Sequence, residues 1–270
     1  MAGYVCTIAG GKGGVGKTTT AINIAAALEN SGYDTVVVDA DLGMANLGEM
    51  LGLEFDASIH EVLAGDAIVS DAMTDAEGGI TTIPGEQTLE AFAEADPAKL
   101  RKVIKTLQNT FDVVLVDTGA GLSHETMVPL GLADGILLVT TPDDVAVNDT
   151  VKTADLADRV DGEVLGTLIT RVRRSTDVPA IAEKFEMPIL GVIPDDSEAA
   201  GEEPLVFNAT DSDAAAAYRQ LADSLTRVFF DGAAGTDLDQ VFDESWFVDE
   251  EREEEGDDDE DGGVFGGLFG

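Results

Sequence analysis

The sequence predicts an α/β fold, a doubly wound and mostly parallel sheet of about seven to eight strands with helices on both faces. Short β-branched runs alternate with helix-length amphipathic segments from residue 4 to 230, the βαβ rhythm of a parallel sheet. Two of those runs end in aspartates, as strands do when their carboxyl ends border a ligand crevice. The first run leads through a glycine-rich loop directly into a helix.

Tyr4 to Ala9 reads as that first strand, and Thr20 to Leu28 as the helix that follows, with one apolar face. Between them lies Gly11-Lys12-Gly13-Gly14-Val15-Gly16-Lys17-Thr18-Thr19. Glycines let successive amide hydrogens turn inward, and the helix adds the positive end of its dipole, so the loop suits a polyphosphate held mainly by backbone. The G-x-x-x-x-G-K-T spacing from Gly11 to Thr18 gives Lys17 the role of point charge toward the β and γ phosphates. Thr18 becomes a magnesium ligand. ATP and Mg²⁺ are therefore the expected cofactors.

Lys12 is a second lysine inside the loop, where Lys17 already serves the phosphates. The run Lys12 to Thr18, Lys-Gly-Gly-x-Gly-Lys-Thr, resembles the deviant Walker A motif of the MinD/ParA group of P-loop ATPases. The resemblance spans residues 4 to 230 and implies that Lys12 reaches across a dimer interface to the partner's nucleotide.

Thr35 to Asp41 reads as a strand ending in Asp39 and Asp41. Asp39 to Leu47 resembles the first switch of the family. By that resemblance Asp41 positions the attacking water and senses the γ phosphate near the metal, and Asp39 orders the metal's outer shell. Residues 48 to 96 are less periodic, with a helical turn at Ser58 to Leu63 and a strand at Gly79 to Gly85. His60 has no cysteine or second histidine nearby and reads as a surface or packing residue rather than a ligand. Pro97 opens a helix through about Asn109, with Leu100, Val103, Ile104 and Leu107 on one face. Lys99, Arg101, Lys102 and Lys105 are its basic cluster, either a partner site or a solvated face balanced by neighbouring acids.

Phe111 to Asp117 is a buried strand whose final aspartate suits Walker B chemistry, holding Mg²⁺ through its water shell. Gly119 and Gly121 then allow a turn that moves when the γ phosphate leaves. Asp117-Thr118-Gly119-Ala120-Gly121 is similar to the second switch of MinD proteins and of the FlhG branch. The rhythm continues with a strand at 135–140, a helix at 143–159, a strand at 164–170, a helix at 177–185 and a strand at 188–194. A closing helix spans 212–230. The resemblance sets Thr170, Arg171, Pro194 and Asp195 beside the adenine, although many relatives have asparagine where Thr170 stands.

The formal charge is −39, with 54 acids against 15 bases. Residues 1–230 alone hold 38 acids and 14 bases, so the acidity covers the fold, and a salt-loaded cytoplasm is its simplest setting. DNA binding is disfavoured because it needs basic patches. The single Cys6 permits no internal disulfide, and no apolar run is long enough for a membrane helix. The expected place is the cytoplasm, with polar or peripheral-membrane placement left open.

The chain divides into a domain at 1–230, a short amphipathic segment at 231–248, an acidic linker at 249–261 and a glycine, phenylalanine and leucine motif at 262–270. The linker carries eleven acids against Arg252 and cannot pack a core. The end motif fits weak membrane contact, a docking peptide or a solvated end. The implied protein is a MinD-like ATPase that dimerises on ATP to place division, motility or chemosensory machinery. Its hydrolysis is slow and partner-stimulated. The alternatives are a nucleotide-locked scaffold with negligible turnover and a DNA partition ATPase. Beyond itself, its partners are unnamed, with the acidic tail and the 97–109 helix as candidate contacts.

Overall fold

The computed structural model describes residues 2–121, 124–197 and 199–238. Along the chain the elements are β1 (Tyr4–Ala9), α1 (Lys17–Asn30), β2 (Thr35–Ala40), α2 (Leu47–Met50), α3 (Ile59–Ala64), β3 (Thr74–Asp75), β4 (Thr81–Ile83) and α4 (Leu89–Glu94). They continue as α5 (Leu100–Gln108), β5 (Val113–Thr118), α6 (His124–Leu130), β6 (Gly135–Thr140), α7 (Asp144–Asp158), β7 (Val164–Val172), α8 (Val178–Ala182), β8 (Ile189–Pro194), α9 (Leu205–Asn208) and α10 (Asp213–Asp231).

The strands form one eight-stranded sheet in the order β3-β4-β2-β5-β1-β6-β7-β8, parallel except for the β3–β4 pair. This is the doubly wound sheet that the sequence predicts. The two-residue edge strand β3 is not legible in sequence, because so short a run has no periodicity. β1 is central, and the chain winds outward from it on both sides, so its carboxyl end lies where a ligand crevice forms.

Strand side chains alternate between two cores. Val37, Leu115, Ile22, Ile24, Leu28, Tyr218 and Leu225 pack on the α1/α10 face. Val36, Val38, Val114, Val116, Ile59, Leu63, Ile104 and Leu107 pack on the other. The first helix departs from the one-faced pattern: α1 is buried all round from Thr20 to Leu28, because α9 and α10 pack against it in addition to the sheet. Its small Ala25, Ala26 and Ala27 permit that double contact. Cys6 is fully buried in β1, and burial pushes its thiol up to about 12, so it is a core residue.

Caps define the helix starts. Asp143 accepts from the backbone N–H of Val145 and Ala146 to begin α7, and Ser212 accepts from Ala215 to begin α10. The helix expected from Pro97 opens as a 3-10 turn at Pro97–Lys99 and becomes α-helical at Leu100. His60 is a packing residue: buried, it donates from Nε2 to the Leu42 carbonyl and accepts the Glu86 N–H at Nδ1. After α10 the chain makes a last turn at Gly235–Leu238, against Leu165 of β7. Among the described residues no helix is long and apolar enough to cross a membrane. The acidic linker and the 262–270 motif lie outside the described residues.

Candidate functional site

The loop after β1 uses its glycines in two ways. Gly10 and Gly11 leave no room for a side chain, since a Cβ would lie 2.6 Å from the Val139 carbonyl oxygen in one case and 2.3 Å from the Asp149 backbone in the other. Gly14 and Gly16 instead adopt positive φ of 75° and 93°, which turns the chain into the first turn of α1. Val15 plugs into the core below. Lys17, the first residue of α1, is only 7% exposed and lines the cavity above the loop with Thr18 and Thr19. Thr170 Oγ1 lies 2.7 Å from the Val15 carbonyl oxygen and 3.0 Å from that of Thr140. Its hydroxyl therefore braces the crown of the loop against β6 and β7.

Sheet register brings the carboxylates together. Asp39 of β2 and Asp117 of β5 are direct cross-strand partners, both buried. Asp39 accepts from the backbone N–H of Asp41 (3.2 Å), Asn46 (3.0 Å) and Leu47 (3.0 Å), so it shapes the entire 41–47 loop. Burial pushes its carboxyl up to about 6, against the lowering effect of those three donors. Burial and the neighbouring Asp39 charge push Asp117 up to about 8. The Thr18 hydroxyl lies 2.6 Å from Asp117 Oδ2 and 2.9 Å from Asn46 Oδ1, one hydrogen facing two acceptors. Asp117 Oδ1 is buried with no hydrogen-bond partner. An unsatisfied carboxylate oxygen beside a threonine hydroxyl and above a lysine fits a hard cation completed by phosphate and water oxygens. Thr18 and Asp117 would hold it.

Asp41 lines the same cavity, and Gly119 approaches it so closely that a Cβ there would lie 3.0 Å from Asp41 Oδ1. Gly121 has φ 104°. The stretches that follow β2 and β5 thus meet at Asp41 and Gly119. Asn46 had no assigned role in the sequence reading. Its signal is its place directly before α2, where its side chain turns back toward Thr18.

Two chambers join around Gly16. The first, about 610 Å³, is lined by loop residues and by Asp41, Asn46 and Gly119. The second, about 490 Å³, is lined among others by Thr170, Arg171, Pro194 and Asp195, with Glu203 and Tyr218 opposite. Arg171 borders both and holds a positive φ of 54°, rare for a non-glycine residue. Asp195 is held by the Arg173 guanidinium at 2.7 Å. Glu203 opens the Glu203-Pro204-Leu205-Val206 stretch, which resembles the MinD pattern but carries no assigned role by sequence. Its Oε2 accepts from Asn23 Nδ2 at 2.7 Å, and burial raises its pKa. Asn23 Oδ1 accepts from the Val206 N–H, so this buried pair clamps the 203–206 segment to α1. Asn23 carried a signal, a polar residue on an otherwise apolar helix. Lys12 lines neither chamber. It points outward, 3.1 Å from Asp143 Oδ1, with both side chains about half exposed.

The chain is similar to known proteins over most of its length. It is 37% identical over 226 residues to an uncharacterized ATP-binding protein of Methanocaldococcus jannaschii, covering 81% of this chain and 86% of that one. The structure of the cell division ATPase MinD of Pyrococcus furiosus superposes with a TM-score of 0.79 at 35% identity, over 84% of this chain and 99% of that one. The septum site-determining protein MinD of Pyrococcus horikoshii, solved with Mg-ADP, gives 0.79 at 33% identity, over 85% and 98%. The pattern of the CobQ/CobB/MinD/ParA nucleotide binding domain matches residues 6–203. With its glycine loop, paired strand-end aspartates and parallel sheet, this chain belongs to the CobQ/CobB/MinD/ParA nucleotide-binding family.

Proposed function

We propose that the protein is an ATP- and Mg²⁺-dependent switch that dimerises face to face on ATP, hydrolyses it slowly under partner control, and so positions cellular machinery. The loop amides and Lys17 bind the phosphates, Thr18 and Asp117 hold the metal, and Asp41 orients the attacking water. The 490 Å³ chamber takes the nucleoside, with Thr170 acting through the loop and Arg171, Pro194 and Asp195 at its wall. Magnesium, when bound, neutralises phosphate charge and orders the phosphate oxygens. Gly119 and Gly121 let the second switch relax when the γ phosphate is gone. Mg-ADP in the P. horikoshii relative supports the ligand, and the names of the MinD relatives support a positioning role.

The observation that carries the reading is Lys12. It belongs to the phosphate loop but lines neither chamber, and only a half-exposed ion pair with Asp143 restrains it. An exposed ion pair is worth at most about 1 kcal/mol, so a facing subunit's phosphates can draw Lys12 away from Asp143. Light scattering and phosphate release on wild type, Lys12→Ala and Lys17→Ala test this. Wild type should become a dimer with ATP, and Lys12→Ala should bind ATP yet remain a monomer. A wild-type mass indifferent to nucleotide sinks the proposal.

A further inference from the structure

The strongest feature that the nucleotide cycle leaves unused is the outer face of α5. Residues 97 to 111 contain no acid, in a chain where acids outnumber bases 54 to 15. Leu100, Val103, Ile104 and Leu107 bury the inner face. Arg101, Lys102 and Lys105 are exposed on the other side, spaced so that all three share one surface. The sequence left open a partner site or a face balanced by neighbouring acids, and the structure shows no direct ion pair on this face among the described residues, whereas Lys12, Lys152, Arg173 and Lys184 all make one. The fourth cation, Lys99, is turned aside to the Ala64 carbonyl at 2.7 Å.

Three uncompensated cations on a strongly anionic protein call for a polyanion, and the chain carries one. Residues 249 to 261 hold eleven acids against one arginine. The described chain also ends where that segment can reach the helix. Gly235 abuts Leu165, Leu165 packs against Gly135, and the adjoining Asp134 accepts from Gln108 Nε2 at the carboxyl end of α5. The exit of the chain and the foot of α5 are thus linked by consecutive contacts at one end of the sheet. Ten residues, 239 to 248, separate the described end from the start of the dense acidic segment at 249, and they can span up to about 35 Å.

We infer that the acidic segment 249–261 docks on the Arg101, Lys102 and Lys105 face of α5 in the same molecule. Individual exposed ion pairs are weak, and tethering is what makes the contact effective, because a short linker holds the segment near millimolar local concentration. α5 packs on the face of the sheet opposite α1, so the docked segment leaves the nucleotide chambers open. Docking instead hides a basic surface from other anions and withholds the acidic segment from cationic partners.

Zero-length carbodiimide cross-linking of the full chain, followed by peptide mass spectrometry, tests this without altering the protein. At 0.05 M KCl, cross-links from 249–261 should fall on Lys102 and Lys105 at about tenfold the yield seen at Lys12 or Lys184. In 1 M KCl, where the Debye length is about 3 Å, they should largely disappear. Arg101→Glu, which keeps both lysines reactive, should lower the yield several-fold. Mixing isotopically light and heavy protein should give no mixed pairs. Three outcomes overturn the proposal. Tail cross-links spread evenly over all exposed lysines would show no docking. Predominantly mixed pairs would assign the face to a second copy. Lys102 and Lys105 shielded only by vesicles with 30 mol% phosphatidylserine, without tail cross-links, would assign it to a membrane.

Discussion

The two chambers beside Gly16 differ in how they are made polar. The larger is lined by the glycine loop, the buried Lys17, Thr18 and Asp41, with the buried pair Asp39 and Asp117 in register behind Thr18, so its polar groups are concentrated where little water reaches. The smaller is walled by Ile193, Pro194, Leu205 and Ala214, with Asp195 engaged by Arg173 and Glu203 by Asn23. Affinity should therefore concentrate in the first chamber, and the second should contribute shape and selectivity. Charge that is buried and unspent does more than charge already paired.

The sharpest way to break this contrast is Lys17→Ala. Loss of a charge-assisted contact costs about 1.5–3 kcal/mol, so calorimetry with MgATP should show affinity falling about 10- to 100-fold. Arg171→Ala, at the seam of the chambers, should cost no more than about threefold if its role is selectivity. Equal losses would erase the distinction between the chambers.

Next comes pH. Asp39, raised to about 6, and Asp117, raised to about 8, keep protons that the unfolded chain has already released. Stability is therefore unpenalised below the ordinary carboxylate value of about 4 and is lost as pH rises through about 6 and then about 8. In metal-free buffer the melting temperature should drop by on the order of 10 °C between pH 5 and pH 8, as followed by calorimetry. Asp117→Asn should make that slope shallower, and saturating MgADP should flatten it, since a bound cation favours both ionised carboxylates. A metal-free slope of the opposite sign would refute the assignment of both shifts to burial.

Smaller effects should follow at the brace between the chambers. Thr170→Val leaves the Val15 and Thr140 carbonyls short of a donor and should lower stability by about 1–2 kcal/mol in chemical denaturation. Nucleotide affinity should weaken a few-fold because the loop loosens. The smallest change is expected for Glu203→Gln, which keeps the volume and the contact with Asn23. ATP affinity should change by less than about threefold, well under 1 kcal/mol, while preference over GTP becomes the sensitive readout.

Most of the sheet was legible. Val5 to Ala9, Thr35 to Ala40 and Val113 to Thr118 are buried along their full length and read as apolar runs, and their spacing forced crossovers. The stretch from 48 to 96 was poorly legible because its elements are short: α2 and β3 span four and two residues, too few to show a period. The loop residues 11–19 were readable because one contiguous backbone makes the phosphate cradle. Asn46 and Glu203 were missed because each acts through a partner distant in sequence, Thr18 in one case and Asn23 in the other.

The sequence by itself determined what can be built from neighbours along the chain: the glycine loop with Lys17 and Thr18, strands that end in aspartate, and an acid-free helix in an acidic protein. Local stereochemistry and periodicity carry those, since they involve only a few consecutive residues. The tertiary structure alone decided which charges are buried, paired or left over. Register set Asp39 against Asp117, α10 packed against α1, Thr170 turned to the loop, and Arg101, Lys102 and Lys105 formed no ion pair among the described residues. Desolvation and Coulomb energy depend on distances through space, and those exist only once the sheet has brought remote segments together.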